Sequence, residues 1–370
     1  MVQGLYIHIP FCHKICHYCD FVKLVPRLGM PEAYLDALIQ EFDHALPLLS
    51  DVCTVYIGGG TPTMLAGDLF VRLLDAIQQR LGKKPMQEYT IEANPNDITH
   101  ELARTMADYG VNRVSLGVQS FAPQLLSFLG RTHDREEVYR AIDVLRAAGI
   151  ANINIDLMYA IPNETLTDLS QDLRLAVQLH PEHISCYSMI LETKTILYHE
   201  YQQGKFQLVD DETQLEMSDL IDSRLRESGY HRYEISNYAL PGKESAHNLI
   251  YWNLEEYLGI GMGSHSQYHE ERTVNHETFR AYLAAVQKTG SGLSHTEPFE
   301  PEMESLMLGL RKTTGIDMTA YEQRFGLDVF SRFPDLKQHL TTGLLEIEEP
   351  MLKLTKRGLD LANQVLINLF

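Results

Sequence analysis

Six short apolar runs separated by amphipathic stretches constrain this chain more than any other feature. They are Leu5 to Ile9, Val52 to Ile57, Tyr89 to Ala93, Val111 to Val118, Ile153 to Tyr159 and Ile184 to Ile190. Strands joined through helices pair in parallel, because each helix carries the chain back along the sheet. The helices have signals of their own. Pro31 stands in the first turn of one whose Leu35, Leu38, Ile39, Phe42 and Leu46 share a face. Asp134, with Glu137 three residues on, starts another that carries Val138, Ile142 and Leu145 and stops at Gly149. A third carries Leu166, Leu169, Leu173 and Val177 before Pro181, and a further helix covers 211 to 229 ahead of a strand-like Tyr230 to Tyr238.

Such a sheet either stays open or curls. Unusual residues gather where the strands end: three cysteines after the first, Gly58-Gly59-Gly60-Thr61-Pro62 after the second, Glu92 near the end of the third and Gln119 after the fourth. Polar groups spread over many strand ends indicate a barrel mouth, whereas a doubly wound sheet concentrates its site at one switch point. The expected architecture is α/β, a partial (β/α)6 barrel over residues 1–240 that carries the site. A connecting segment, 241–300, and a small, mainly helical tail, 301–370, follow. The tail ends in a hairpin around Glu349-Pro350 with arms Leu344 to Ile347 and Met351 to Leu354, a winged-helix-like pattern.

A winged helix raises a DNA-binding alternative, which charge opposes. The tail holds 8 Lys and Arg against 10 Asp and Glu, and the whole chain 31 against 50, a net charge of -19. So acidic a surface repels nucleic acid and anionic lipid. No apolar run approaches the roughly 18 residues of a membrane span. The first ten residues lack a basic start and are broken by His8 and Pro10, unlike a signal peptide. These features give a cytoplasmic expectation. Five cysteines are too few for a disulfide scaffold, and three of them, Cys12, Cys16 and Cys19, fall within eight positions. Cys53 and Cys186 lie in the strand-like runs and read as buried thiols.

The Cys12, Cys16, Cys19 spacing is C-x3-C-x2-C, and three thiolates from one loop suit a soft metal centre. An iron–sulfur cube usually takes four cysteines, so three leave one iron open to an exchangeable molecule. A zinc site completed by His13 or His17 is the other reading of the loop by itself. The Gly58 to Pro62 turn lets a ligand approach the backbone, with N–H groups that can meet a carboxylate. It is not a phosphate loop, since no Gly-Lys-Ser/Thr follows.

Several further segments recur in order along the chain: Tyr6-Ile7-His8-Ile9-Pro10-Phe11-Cys12, Cys19-Asp20-Phe21, Gly117-Val118-Gln119-Ser120-Phe121, Ile155-Asp156-Leu157-Met158-Tyr159, Tyr233-Glu234-Ile235-Ser236-Asn237-Tyr238 and His247-Asn248-Leu249-Ile250-Tyr251-Trp252. With the cysteine loop and the glycine turn they resemble the radical S-adenosylmethionine (SAM) superfamily. Within it they resemble the anaerobic coproporphyrinogen oxidase group and its HemW branch. The resemblance implies that Cys12, Cys16 and Cys19 hold a 4Fe–4S cluster whose open iron binds the amino and carboxylate groups of SAM. An electron from a donor such as flavodoxin or ferredoxin would then break the sulfonium C–S bond, yielding methionine and a 5'-deoxyadenosyl radical. It also implies that Tyr6, Gly59, Gly60, Thr61, Glu92, Gln119, Arg131 and Asp156 surround SAM.

Two departures separate the branches. Phe21 stands where the oxidase has a further cysteine, and the cluster loop begins at Cys12 without the oxidase's longer preceding arm. Both favour HemW, described as heme chaperones that bind heme and pass it to an acceptor protein. The alternative is an oxygen-independent coproporphyrinogen III oxidase that decarboxylates two propionates. No residue is given a catalytic role. The segment from His247 to Trp252 matches the HNxxYW motif associated with the HemW branch, which implies that His247 faces or ligates heme beside Tyr251 and Trp252. His265 is a second candidate. By themselves the same residues read as a buried histidine beside an aromatic pair.

Overall fold

The computed structural model describes residues 1–65 and 67–369, so the last residue of the expected 301–370 tail lies outside the described residues. The six expected strands are β1 (Gly4–Ile9), β2 (Thr54–Gly59), β3 (Glu88–Ala93), β4 (Arg113–Gln119), β5 (Asn152–Tyr159) and β6 (His183–Ser188), paired in parallel in chain order. The sheet does not close on itself among the described residues. Beyond β6 it continues through β8 (Asn237–Ala239) to β7 (His231–Arg232), both antiparallel. Beyond β1 it continues through β9 (Tyr257–Ile260), parallel, and then β10 (His265–Tyr268), β11 (Glu271–Asn275) and β12 (Leu293–Glu297), antiparallel.

Two sequence expectations change here. The run Tyr230 to Tyr238 is two short strands, not one, because Tyr233 turns the chain so that its N–H donates to the Asn237 carbonyl at 3.1 Å. Residues 241–300 do more than connect, since they supply four strands to the main sheet. All four are short, and β10 to β12 are mostly polar, so they show little apolar periodicity.

Side chains alternate across a strand, and here the alternation separates chemistry. One set, Leu5, Ile7, Val55, Ile57, Ile91, Val114, Leu116, Ile153 and Ile155, is fully buried in an apolar core. The crossover helices contribute Leu35, Leu38 and Phe42 from Met30–Ala45, Leu73 and Leu74 from Asp68–Leu81, Val138 and Leu145 from Arg135–Ala147, and Leu169 and Leu173 from Leu166–Gln178. The helix from Arg135 opens with the expected capping box, Asp134 accepting from Glu137 N–H at 2.9 Å and Glu137 accepting from Asp134 N–H at 3.0 Å.

The other set is polar: Tyr6, His8, Tyr56, Glu88, Glu92, Arg113, Asn154, Asp156 and His183. Register aligns them across the sheet, with Tyr6 opposite Tyr56, Glu92 opposite Ser115, Ser115 opposite Asn154, and Asn154 opposite His183.

The added strands are tied to the first helix by one buried carboxylate. Glu41 accepts from Gly261 N–H at 2.7 Å, Tyr282 O–H at 2.7 Å, Asn275 Nδ2 at 2.8 Å and Gly292 N–H at 2.8 Å. Residues from 301 on have a core of their own, which includes Leu306, Leu310, Tyr321, Leu336, Leu352 and Val365. Its sheet is β13 (Ile316–Asp317), β14 (Leu345–Glu348) and β15 (Met351–Leu354), the last two forming the expected hairpin. No helix is long and apolar enough to cross a membrane among the described residues. Cys186 is buried in β6 as expected, whereas Cys53 precedes β2 and is only half-buried, its thiol 3.5 Å from the Gln3 carbonyl.

Candidate functional site

The cysteine loop leaves the C-terminal end of β1 and is closed at its base by the backbone. Cys12 N–H donates to Leu24 O at 3.0 Å, and Leu24 N–H to Pro10 O at 2.7 Å. Two further anchors hold the loop over the strand ends: His17 N–H donates to Leu129 O at 3.0 Å, and Leu197 N–H to His17 O at 3.0 Å. The His17 Nδ1 is hydrogen-bonded to the Phe128 carbonyl at 2.8 Å, and His13 lies 3.4 Å from Asp97. Among the described residues no three His, Cys, Asp or Glu converge on a single ion. Burial pushes the Cys12 thiol up to about 11 and also raises Cys19, so a buried thiolate here needs a cation to hold it.

The glycine turn packs directly under the loop. A Cβ at Gly59, whose φ is +111°, would lie 2.4 Å from the His8 ring, and one at Gly60 would lie 2.7 Å from the Phe11 carbonyl. Only glycine lets β2 end this close to β1. One expectation is corrected: the turn's N–H groups are not available to a ligand. Gly59 N–H donates to Glu92 Oε2 at 3.0 Å, Gly60 N–H to Ile9 O at 2.8 Å, and Thr61 N–H to Phe11 O at 2.7 Å. Thr61 instead offers its hydroxyl, 3.8 Å from Cys12 Sγ and 3.2 Å from Asn94 Nδ2.

Arg131 reaches back from the segment after β4. Its guanidinium donates to Asn94 Oδ1 at 2.7 Å, to the Gly117 carbonyl and to Cys16 Sγ at 3.6 Å, while its Nε is buried without a partner among the described residues. An orphaned cationic N–H beside a cysteine is what an incoming carboxylate would satisfy. Glu92 accepts from Tyr56 O–H at 2.8 Å as well as from Gly59. Burial, reinforced by Asp156, holds its carboxyl up at about 7 against the hydrogen bonds from Tyr56 and Gly59.

Asp156 accepts from Ser115 Oγ at 2.9 Å and Asn154 Nδ2 at 2.8 Å, with its pKa also raised by burial. Gln119 sits at the end of β4 with φ +67°, after a register shift between Gly117 and Gln119. The Tyr6 hydroxyl is 3.0 Å from His8 Nδ1, and the His8 Nε2 is 2.7 Å from the Val22 carbonyl. Cys12, Cys16, Thr61, Asn94, Gly117 and Arg131 thus form one connected contact set, which Glu92 and Tyr56 join through the Gly59 turn.

His247 differs from the expectation that it faces a ligand. It is 0% exposed, with Nδ1 2.8 Å from the Thr54 hydroxyl, Nε2 2.8 Å from the Tyr251 hydroxyl, and the ring stacked on Tyr56 at 5.2 Å. Burial lowers its pKa to about 3, so the ring is neutral with both nitrogens engaged. The geometry makes it a spacer between the helix Ala246–Trp252 and β2. Glu88 fixes the start of that helix, accepting from Ser245 Oγ at 2.9 Å and Ala246 N–H at 2.6 Å.

Sequence reasoning missed Tyr56, Glu88, Asn94, Arg113 and His183. Arg113 is 2% exposed under the site, and His183 links Asn154 at 2.6 Å to Tyr233 at 2.8 Å. The signal was present as polar residues at every second place, in Glu88-Tyr89-Thr90-Ile91-Glu92 and Arg113-Val114-Ser115.

Comparison with known proteins shows the family and the fold. The radical SAM superfamily profile matches residues 6–176, and the HemN C-terminal domain profile matches residues 302–361. The superfamily brings a 4Fe–4S cluster and SAM as cofactors. The structure of the Escherichia coli coproporphyrinogen III oxidase HemN, a radical SAM enzyme, has the same fold. It superposes with a TM-score of 0.86 at 24% identity over 100% of this chain and 90% of that one. The heme chaperone HemW of Bacillus subtilis is 38% identical, covering 98% of both chains, and that of Lactococcus lactis is 37% identical over 98% of this chain and 96% of its own. The chain belongs to the HemW family of radical SAM proteins.

Proposed function

We propose that this protein is a radical SAM heme chaperone, which binds heme and delivers it to an acceptor protein. Identity to HemW chaperones over nearly the whole chain carries the reading. Phe21, 66% exposed where the oxidase pattern has a further cysteine, supports it over coproporphyrinogen oxidation.

In this reading Cys12, Cys16 and Cys19 hold the 4Fe–4S cluster, and Tyr6, Gly59, Gly60, Thr61, Glu92, Gln119, Arg131 and Asp156 form the SAM site. When bound, the cluster and SAM supply reductive cleavage of a sulfonium. The chain's own groups do the binding. The Arg131 guanidinium takes a carboxylate through its free Nε–H, the Glu92 carboxylate accepts from an amine or hydroxyl, and Asp156 accepts from ribose hydroxyls. Residues 1–240 serve this site, 241–300 carry the HNxxYW helix, and 301–370 form the terminal helical and hairpin domain. His247, fully buried between Thr54 and Tyr251, braces the HNxxYW helix against β2. The protein works in the cytoplasm with a flavodoxin or ferredoxin as electron donor.

One anaerobic preparation tests the function. Optical titration with ferric heme is expected to reach one heme per chain, while coproporphyrinogen with reductant and SAM yields no protoporphyrinogen. Turnover without heme binding would reverse the assignment.

A further inference from the structure

Any heme site in this chain rests on the chaperone reading, which leaves its position open. A cavity of about 460 Å³ opens beside the cluster loop, within the roughly 300–1,000 Å³ of small-molecule sites. Phe21 and Val22, just past Cys19, form one wall, Tyr251 and Trp252 of the HNxxYW helix a second, and Tyr257 and His265 of β9 and β10 a third.

Its chemistry is that of a flat, largely apolar ligand with a metal at its centre. Arg311 lies over the Trp252 ring at 4.6 Å and holds it in place. Two wall residues carry buried polar atoms without partners among the described residues, Trp252 Nε1 and Gln267 Oε1. Arg272 is the one cation among the lining residues, and its guanidinium is already paired with the buried Glu304 carboxylate, while Asp20, Glu255 and Glu277 make the rest of the lining acidic. That balance disfavours a polyanion such as a nucleotide. It accepts a porphyrin whose apolar face enters the cavity while its charged propionates, at one edge, stay in solvent.

Two histidines line the cavity, and they are not equivalent. His8 has both ring nitrogens engaged, by Tyr6 and by the Val22 carbonyl. His265 has neither in a hydrogen bond among the described residues, and its side chain is 45% exposed. Its Nδ1 faces the Glu297 carboxylate at 3.9 Å, which leaves Nε2 for a metal. That distance is longer than a hydrogen bond, but it puts a carboxylate behind the imidazole, where closing by about 1 Å would give the outer-shell contact that orients a ligating histidine. His247, by contrast, lies outside this wall with both nitrogens spent.

We propose that this cavity is the heme site and that His265 supplies an axial nitrogen to the heme iron, with Trp252 and Tyr257 packing the porphyrin.

Full-length protein purified anaerobically is titrated with ferric heme and, separately, with iron-free protoporphyrin, in the wild type and in His265→Gly, His265→Ala and His247→Phe. Both His265 variants are expected to shift the Soret band and lose heme affinity by at least the about tenfold that removal of an outer-shell partner costs. They retain protoporphyrin binding, which shows that the cavity is folded. Added imidazole restores the wild-type spectrum in His265→Gly. His247→Phe keeps the wild-type Soret position. Unchanged heme spectra and affinity in both His265 variants, or loss of the wild-type axial signature in His247→Phe alone, overturns the assignment while the chaperone reading stands. Failure of the wild type itself to bind heme removes the chaperone reading and this proposal together.

Discussion

Glu92→Gln separates the two demands on the SAM region, binding and folding. In the folded chain burial holds the Glu92 carboxyl at about 7, against an ordinary value of 4.5. The sign comes from linkage. Below about pH 4.5 the group is protonated in both states and costs nothing; between there and pH 7 the unfolded chain ionises first, and stability falls until the folded group ionises too. At about 1.4 kcal/mol per unit, the residue costs the wild type about 3 kcal/mol at pH 8 relative to acid.

Glutamine is the shape of the protonated acid. Its carbonyl can take the Gly59 N–H and its amide can face the Tyr56 oxygen, the two contacts now at 3.0 and 2.8 Å. The variant should therefore match the wild type within about 1 kcal/mol at pH 5 and exceed it by about 3 kcal/mol at pH 8. Urea unfolding of cluster-free protein at both pH values measures this, with unchanged m-values required for the comparison. The same variant should bind SAM more weakly, since the amide cannot accept a second ammonium hydrogen bond; a site residue is then trading stability for function. Equal stabilisation at both pH values, or destabilisation at pH 8, would refute the account of Glu92 as a carboxylate destabilised by burial.

Two further predictions test the surroundings. Arg131→Ala removes a guanidinium that contacts Cys16 Sγ and keeps a free buried Nε; a lost charge-assisted pair of about 1.5–3 kcal/mol means SAM binding weaker by roughly 10- to 100-fold. Cluster absorbance near the visible charge-transfer bands should persist, and its loss would make Arg131 part of cluster assembly instead. Asp134→Ala breaks the capping box at Arg135–Ala147 and should cost about 1 kcal/mol in urea unfolding while heme and SAM titrations stay unchanged.

The parallel strands were legible because each presents an apolar face to a helix, and the cysteine loop because three soft-metal donors rarely fall within eight positions by chance. The helix start at Asp134 was legible down to the individual hydrogen bonds. What escaped has a common cause. Strands β10 to β12 are short and mostly polar and β9 is only four residues with a glycine at its third place, so a period-2 apolar pattern never accumulates. Tyr56, Glu88 and Arg113 do not look like site residues until the sheet folds and sets them on one polar face. The N–H groups of the glycine turn looked available because nothing local reveals that β1 would claim them. His247 was misplaced for a related reason: a motif specifies which residues travel together but not which way a ring points, and Thr54 and Tyr251 decide that.

Glu41 also bears on how the protein is made. Its four donors lie 220 to 251 residues further along the chain. Until residues near 292 have left the ribosome, the carboxylate must stay in water, and the helix Met30–Ala45 cannot bury that side. The edge of the sheet beside the cluster loop is therefore among the last parts of the main body to be completed. A truncated gene product ending near residue 240 should show this as a soluble-yield defect, because it keeps the charge and loses everything that neutralises its burial.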